Sequence, residues 1–465
     1  MSNIEISQGL LHLPGSNHET KALVQKLLEE DLKKHHCFYG KPGFHNHLPH
    51  HLLALYDLGA PAKVMQDMYN LEAEVQSPIN LVDRKNETVA QLDLTITKEN
   101  WTEHLGREEY YIAYLEFFKT EVQKGVPECL EEYIFSPKAN GNENCMLLRI
   151  VGGAAHPLIQ IGYGVEFNMP VIAASGLAEV AVTKPIPPAL YDDTPGSSAK
   201  NATVLSIIKQ MYDSEILVPV MPYQPEAFIS ARMKDATSNG RPEEICRLSS
   251  QIPIEENPNV SDLDSRVKEL IWAATLLLAS TGKHERKPRL DFFLMHLLTS
   301  SHFLPTLIHA VKTPINATRL LRIYVSVLLF LTLLRGRPRI DPTLIMTYPD
   351  TPRPPNSKGN PADVNPWPAI IDEVIHAPDS HTVKTIRSLY YAAQHYGETP
   401  PGGAIGAFDD TGKEILRGAG KLDGTIFVRA AGIVMNNMGW LTHGQEEGKW
   451  DRSALGWDDA WNTPD

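Results

Sequence analysis

Residues 265–280 are apolar around most of a helix circumference, Trp272 included. A helix without a polar face has no place on a wet surface and must be wrapped by other elements. Only a large core offers that. A chain of 465 residues can build one without disulfides or structural metals as staples. The strongest apolar run, 323–334, makes the same demand. Its twelve residues fall short of the roughly 20 that span a bilayer, so a second buried core helix is predicted there.

Helical spacing recurs along the chain. Segment 20–34 places Leu23, Leu27 and Leu28 at helical intervals, with charges opposite. Segment 47–58 is apolar after its histidines and stops at Gly59, and 62–74 follows Pro61, which suits a helix start. Segment 108–124 is aromatic on one side (Tyr111, Tyr114, Phe118) and ends at Gly125. Segments 290–300, 318–334 and 382–396 complete a mainly helical inventory. Strand signals are weak: 90–97 and 425–434 alternate only briefly. Two stretches read as loops, 184–201 with four prolines and 341–368 with eight, the second long enough for a lid. The expected fold is mainly α: one large helical domain over 1–465, a metal site between helices, and a loop-rich C-terminal cover.

Composition narrows the function. With 43 Lys and Arg against 56 Asp and Glu, the net charge is −13. That argues against nucleic acid, whose binders carry a basic stripe, and against docking on an anionic membrane. The four cysteines, Cys37, Cys129, Cys145 and Cys246, form no CxxC pair, which speaks against zinc ribbons and thioredoxin-like redox sites. Scattered thiols suit a reducing compartment. The first residues lack a basic stretch followed by an apolar one. A cytoplasmic location is therefore expected. The sequence leaves the oligomeric state open. No GxGxxG, Walker loop or GxSxG occurs, so flavin, dinucleotide and P-loop sites have no footprint.

The surplus is in histidine, 18 in all. FHNHLPHH, residues 44–51, holds His45, His47, His50 and His51. On a helix His47 and His51 are one turn apart and could grip one metal, provided Pro49 sits in the first turn. The plainer reading is a polar helix start with solvated histidines. GGAAHPLIQIGYGVEF, residues 152–167, sets His156 between glycines and Pro157. Its GxG at Gly162 and Gly164 lacks the third glycine of a dinucleotide loop, because Phe167 stands there. A lone His in such a run is more often a satisfied core residue than a ligand. In DFFLMHLLTSSHFLP, residues 291–305, His296 lies on an apolar helix. Its buried ring needs a partner at each nitrogen. A metal opposite a carbonyl would supply both, and so would hydrogen bonds within the core. Thr299 is three residues on, and His302 is also near. In HAPDSHTVKTIRSLYYAAQHYG, residues 376–397, Ser380 as N-cap puts His381 and Lys384 on one face. An ammonium has no lone pair. Lysine ligates only when its neutral amine captures carbon dioxide as a carbamate, and burial favours that amine. A solvated surface lysine is the rival reading.

These four segments, with GRPRI at 336–340 and NPWPAIIDEV at 365–374, resemble the questin oxidase-like family. The motifs run in order over about 350 residues. The resemblance implies oxidation of anthraquinones, opening the central quinone ring towards a benzophenone or xanthone. It also implies a non-haem iron(II) dioxygenase, with four histidines and a carboxylated lysine on the metal. On that basis His156, His296 and His381 become expected ligands with Lys384. The fourth histidine comes from 45–51, with His51 ranked ahead of His47. A histidine left over there, His47 under that ranking, would serve as base on a substrate phenol. Thr299 would orient the carbamate or a water. Tyr111, Tyr390, Tyr391 and Trp367 are candidates to stack on a flat aromatic polyketide. Gln160 stands where many relatives are expected to carry histidine. Other members are described as NADPH-dependent Baeyer–Villiger oxidases, which gives a second enzymatic reading. A catalytically inactive polyketide-binding protein is the third. Iron(II) with dioxygen is the cofactor expectation, and NADPH belongs to the second reading.

Overall fold

The computed structural model describes residues 5–90, 92–194 and 202–462. Helices dominate, as the sequence predicts. Among the described residues, named strands form two short antiparallel ribbons: β1 (Phe38–Tyr39) with β2 (Phe44–His45), and β3 (Leu81–Asp83) with β4 (Thr88–Val89). The chain gathers into two compact units, each assembled from interleaved segments. The first takes Met1–Pro188, Phe303–Ala317 and Pro378–Lys384; the second takes Ala189–His302, Thr318–Ala377 and Thr385–Asp465.

The first unit is built on α1 (His18–Lys34), α2 (Leu48–Asp57), α3 (Ala62–Ala73), α4 (Tyr111–Glu121), α5 (Gly152–Glu166) and α6 (Pro170–Val182). A capping box starts α1. The Asn17 side chain accepts the Thr20 N–H at 3.0 Å, and Thr20 Oγ1 accepts the Asn17 N–H at 2.8 Å. Helices α1, α2 and α3 pack on one another. Every residue of α2 is buried, histidines included. Its Leu52, Leu53 and Leu55 each contribute about 1.5–3 kcal/mol of burial. Helices α5 and α6 pack very closely, because glycines face the contact. A Cβ on Gly176 would stand 2.7 Å from the Ile161 backbone nitrogen, and one on Gly164 would stand 2.3 Å from the Ala173 backbone nitrogen. The GYG triplet therefore serves helix packing.

The second unit centres on α7 (Val260–Ala279), which packs on α8 (Phe292–Ser301) and α12 (Ile426–Met438). Trp272 meets the edge of Phe427 with ring centroids 5.1 Å apart. The all-round apolar helix is thus central, as predicted. Asp291 caps α8, accepting the amide N–H groups of Phe293 (2.9 Å) and Leu294 (3.2 Å). Its carboxylate pairs with Arg335 at 2.8 Å, and both side chains are 1% exposed. Helix α9 (Pro314–Leu334) is 21 residues long and begins four residues before the 318–334 segment read from the sequence. By length and composition it could cross a membrane, yet 94% of its apolar window is buried inside the protein. Helices α10 (Trp367–Val374) and α11 (Ser380–Tyr396) follow later in the chain. The first five residues of α11 belong to the first unit.

Two strand expectations fail. Segment 425–434 lies in α12, where Ile426, Phe427, Ala430, Ile433 and Val434 are buried. Burial on all sides erases the helical stripe and leaves a short alternation instead. In segment 90–97 no described residue lies in a strand; the pairing partner, Thr88–Val89, ends just before it. Residue 91 lies outside the described residues, as do 195–201 of the expected loop at 184–201. The expected loop at 341–368 contains a short helix, Pro342–Ile345, and a 3-10 turn, Pro361–Asp363.

Candidate metal centre

The segment carrying four histidines is held from α1. Asn46 Nδ2 donates to Asp31 Oδ1 at 2.8 Å, and Asn46 Oδ1 accepts the Leu48 N–H at 3.0 Å. That fixes the entry of α2, with Pro49 in its first turn as required. His47 stands just before the helix and His51 inside it. Their rings part company. His51 Nδ1 hydrogen-bonds the Glu72 carboxylate on α3. His47 Nε2 instead stands 2.9 Å from His156 Nε2. Of the two, His47 and not His51 has a ring nitrogen grouped with those of His156 and His381.

His156 arrives on a strained backbone. Gly153, Ala154 and Ala155 have φ of 54°, 58° and 65°, three left-handed residues in a row. For an alanine that conformation costs roughly 1–2 kcal/mol. The regular helix therefore begins at His156, with Pro157 in its first turn, where a missing N–H does no harm. The turn brings the Gly153 carbonyl to 2.5 Å from His156 Nδ1. Nδ1 donates there, and Nε2 is the nitrogen left facing His47.

His381 is oriented in the same manner by a different group. Asp379 Oδ1 accepts from His381 Nδ1 at 2.7 Å and from the His381 backbone N–H at 2.9 Å. Helix α11 starts at Ser380, and Asp379 supplies the capping contact expected of Ser380. The His381 ring meets the His47 ring edge-on at 4.5 Å. On α8, His296 Nδ1 donates to the Phe292 carbonyl at 2.7 Å. Its hydrogen bond to the previous turn, one of the two sequence readings, is present. Within the first unit, ring nitrogens of His47, His156 and His381 all lie within 4.8 Å of one another, and all three residues are buried.

Burial governs the protonation of this cluster. It pushes His47 well below the usual histidine range, helped by the charges of Lys384 and His381. His50 is lowered for the same first reason, burial. Neutral imidazoles keep a lone pair for a metal. Lys384, 2% exposed, is pulled down to about 7 by burial, against the pull of Asp379 and Glu72. Burial would raise the Asp379 carboxyl, but the charge and hydrogen bonds of His381 outweigh it and hold it low.

The other expected residues are placed as follows. Thr299 Oγ1 points to its own helix, 3.4 Å from the His296 carbonyl and 3.9 Å from Met295 Sδ. His50 stacks on Tyr163 at 5.2 Å. Gln160 Nε2 donates to Ser175 Oγ at 2.8 Å. Tyr111 packs on His36 at 4.7 Å, Trp367 on Tyr390 at 4.9 Å, and Tyr391 on His302 at 4.9 Å. These aromatic rings are engaged in packing within their own units.

Sequence reasoning missed the partners that orient the rings: Asp31, Asn46, Glu72, Gly153 and Asp379. Asp379 alone left a trace, as an Asp directly before a helix start. Asp31, Asn46 and Glu72 meet partners 15 and 21 residues away, and Gly153 acts through a backbone carbonyl that residue type does not record.

The family model described as Questin oxidase-like matches residues 44–389. The oxidoreductase AflY of Aspergillus parasiticus is 27% identical over 404 residues, covering 84% of this chain and 77% of its own length. A questin oxidase of Aspergillus fumigatus is 29% identical over 287 residues, 60% of this chain and 62% of its own. The Baeyer–Villiger monooxygenase dmxR6 of a Cryptosporiopsis species is 27% identical over 310 residues, 63% of this chain and 65% of its own. The chain thus spans less than two thirds of the length of the last two. With the match running from the His45–His51 segment through Lys384, the chain belongs to the questin oxidase-like family.

Proposed function

We propose that this protein is an oxidoreductase that opens the quinone ring of a hydroxyanthraquinone, using iron(II) and dioxygen. The observation that carries the reading is the gathering of the buried His47, His156 and His381 ring nitrogens within 4.8 Å of one another. Ligands about 2.1 Å from one ion stand about 3 Å apart when adjacent and about 4.2 Å apart when opposite. The His47–His156 separation of 2.9 Å fits the adjacent case. Imidazole suits zinc, copper and nickel as well as iron. The oxidase and monooxygenase names of the relatives favour a redox-active ion.

In this reading His47, His156, His296 and His381 hold the metal, with Lys384 as a carbamate. Iron(II), when bound, would supply a site that activates dioxygen, while the electrons that reduce it come from the substrate being oxidised. The protein supplies fixed rings, a dry surround and a base. Asp379 and the Gly153 carbonyl take the Nδ1 protons and hold Nε2 inward. The buried Lys384 favours the neutral amine that carbon dioxide capture requires. With His47 in the metal set, the role of base on a substrate phenol passes to His50, buried on α2 beside His47 and His51. Thr299 would orient the carbamate or a water. The substrate is a small aromatic polyketide, and the enzyme works in the cytoplasm.

The Baeyer–Villiger name of dmxR6 favours a second reading, an NADPH-dependent monooxygenase. One assay separates them. Purified protein, reconstituted anaerobically with iron(II), is mixed with a hydroxyanthraquinone and oxygen. Oxygen uptake and ring opening without NADPH, abolished by a chelator, are expected. Turnover that survives chelation and requires NADPH overturns the iron reading.

A further inference from the structure

We infer that His45 and Glu179 are positioning residues that lock the His156 imidazole in plane for a metal ion. The inference rests on the reading of His156 as a ligand. The His45 ring lies flat on the His156 ring, with centroids 4.0 Å apart and planes 3° apart. His45 Nδ1 meets Glu179 Oε1 at 2.5 Å. Both side chains are largely buried, 11% and 6% exposed.

The two contacts restrain different motions. The Gly153 carbonyl, 2.5 Å from His156 Nδ1, fixes which ring nitrogen faces inward. A single in-plane hydrogen bond leaves the ring free to rock about its axis. A flat neighbour removes that freedom only if the neighbour is itself held. Glu179, on α6, holds His45 through its Nδ1–H. Helix α6 packs on α5, the helix that carries His156. The stack therefore ties the ring to the packed pair α5 and α6.

The backbone makes room for this arrangement. A Cβ on Gly153 would stand 2.6 Å from His45 Nε2, closer than real Cβ contacts come. Gly153 thus answers two demands, a left-handed φ of 54° and passage for the His45 ring. A buried carboxylate is expensive unless hydrogen-bonded. Its placement against a stacked imidazole is explained by what it holds. Partners that orient a ligating histidine typically matter by about 10–100-fold in metal affinity.

The test is cobalt(II) titration of the full-length metal-free protein, followed by its visible absorption. Glu179→Ala is expected to weaken cobalt binding about tenfold and to change the band shape. Glu179→Gln still accepts the Nδ1–H and is expected to restore most of the affinity. His45→Phe keeps a flat face and is expected to lose less than His45→Ala. The thermal midpoint of each metal-free variant reports the fold separately. Wild-type affinity and spectrum in folded Glu179→Ala overturn the inference. If that variant does not fold, equal cobalt affinity in His45→Ala and wild type overturns it. A wild type that takes up no cobalt sinks the ligand reading of His156 and this inference with it, an outcome visible without any variant.

Discussion

The Nε2 atoms of His47 and His156 stand 2.9 Å apart, although 109 residues separate them in the chain. Two imidazolium rings could not sit so close in a buried site, since like charges there repel strongly. Burial already holds His47 well below the usual histidine range. His156 Nδ1 faces the Gly153 carbonyl and His381 Nδ1 faces Asp379, so each ring turns Nε2 the other way. That orientation is what a cation shared between imidazoles needs.

The first consequence concerns which histidine of the 45–51 segment binds metal. His47→Ala removes a member of the group and is expected to weaken iron(II) binding by more than about 100-fold, beyond the range of supporting residues. His51→Ala is expected to keep the iron, because no His51 ring nitrogen belongs to the histidine group. Metal analysis after dialysis against a fixed free iron concentration checks both. Iron retained by His47→Ala and lost from His51→Ala would restore the ranking read from sequence.

Lys384 makes stability depend on pH. Its folded value of about 7 lies below the ordinary 10.5, so between those values the unfolded chain binds a proton that folded Lys384 refuses. Stability of the metal-free protein should therefore rise with pH across that window. Below about pH 7 the full burial penalty is present, on the order of a few kcal/mol. Lys384→Met should remove this dependence and be the more stable protein at neutral pH. Urea unfolding of metal-free wild type and variant between pH 6.5 and 10 checks it. Parallel profiles would mean that the amine is not desolvated in the folded state.

Much of the helical frame is legible in sequence because helix periodicity is local. Segments 20–34 and 62–74 need only their own spacing to announce α1 and α3. The expected strand at 425–434 failed because Ile426–Met438 is buried on almost every side, and a helix without a wet face shows no stripe. The site was partly legible for a related reason. His381 and Lys384 share one turn of one helix, so local spacing exposes them. His47 and His51 share a turn too, yet tertiary partners decide between them: Glu72 takes one ring and the His156 side takes the other. No local pattern records a carboxylate 21 residues away.

The left-handed run before His156 gives a prediction about strain. Gly153→Ala must place a Cβ at φ 54° and against His45. A cost of roughly 1–2 kcal/mol from the backbone alone is expected, with more from the contact. Ala155→Gly relieves one left-handed alanine but makes the unfolded chain more flexible, at roughly 0.5–1 kcal/mol. Its net effect on the melting midpoint should be small. Differential scanning calorimetry of the metal-free proteins compares them. A neutral Gly153→Ala would show that His45 and the turn can shift together.

The second unit offers a prediction independent of any metal. Arg335 Nε donates to both oxygens of Asp291, at 3.0 and 2.8 Å, with both side chains 1% exposed. Asp291 also caps α8, the helix carrying His296. Arg335→Met leaves the carboxylate buried without its cation, which typically costs 3–5 kcal/mol. Adding Asp291→Asn to that variant removes the stranded charge while an amide oxygen still accepts the cap hydrogen bonds. The double variant should therefore be more stable than Arg335→Met alone, by about 1–3 kcal/mol. Urea unfolding of wild type, both single variants and the double variant closes the cycle. Additive losses would mean that the pair contributes no coupling and that the cap alone holds the start of α8.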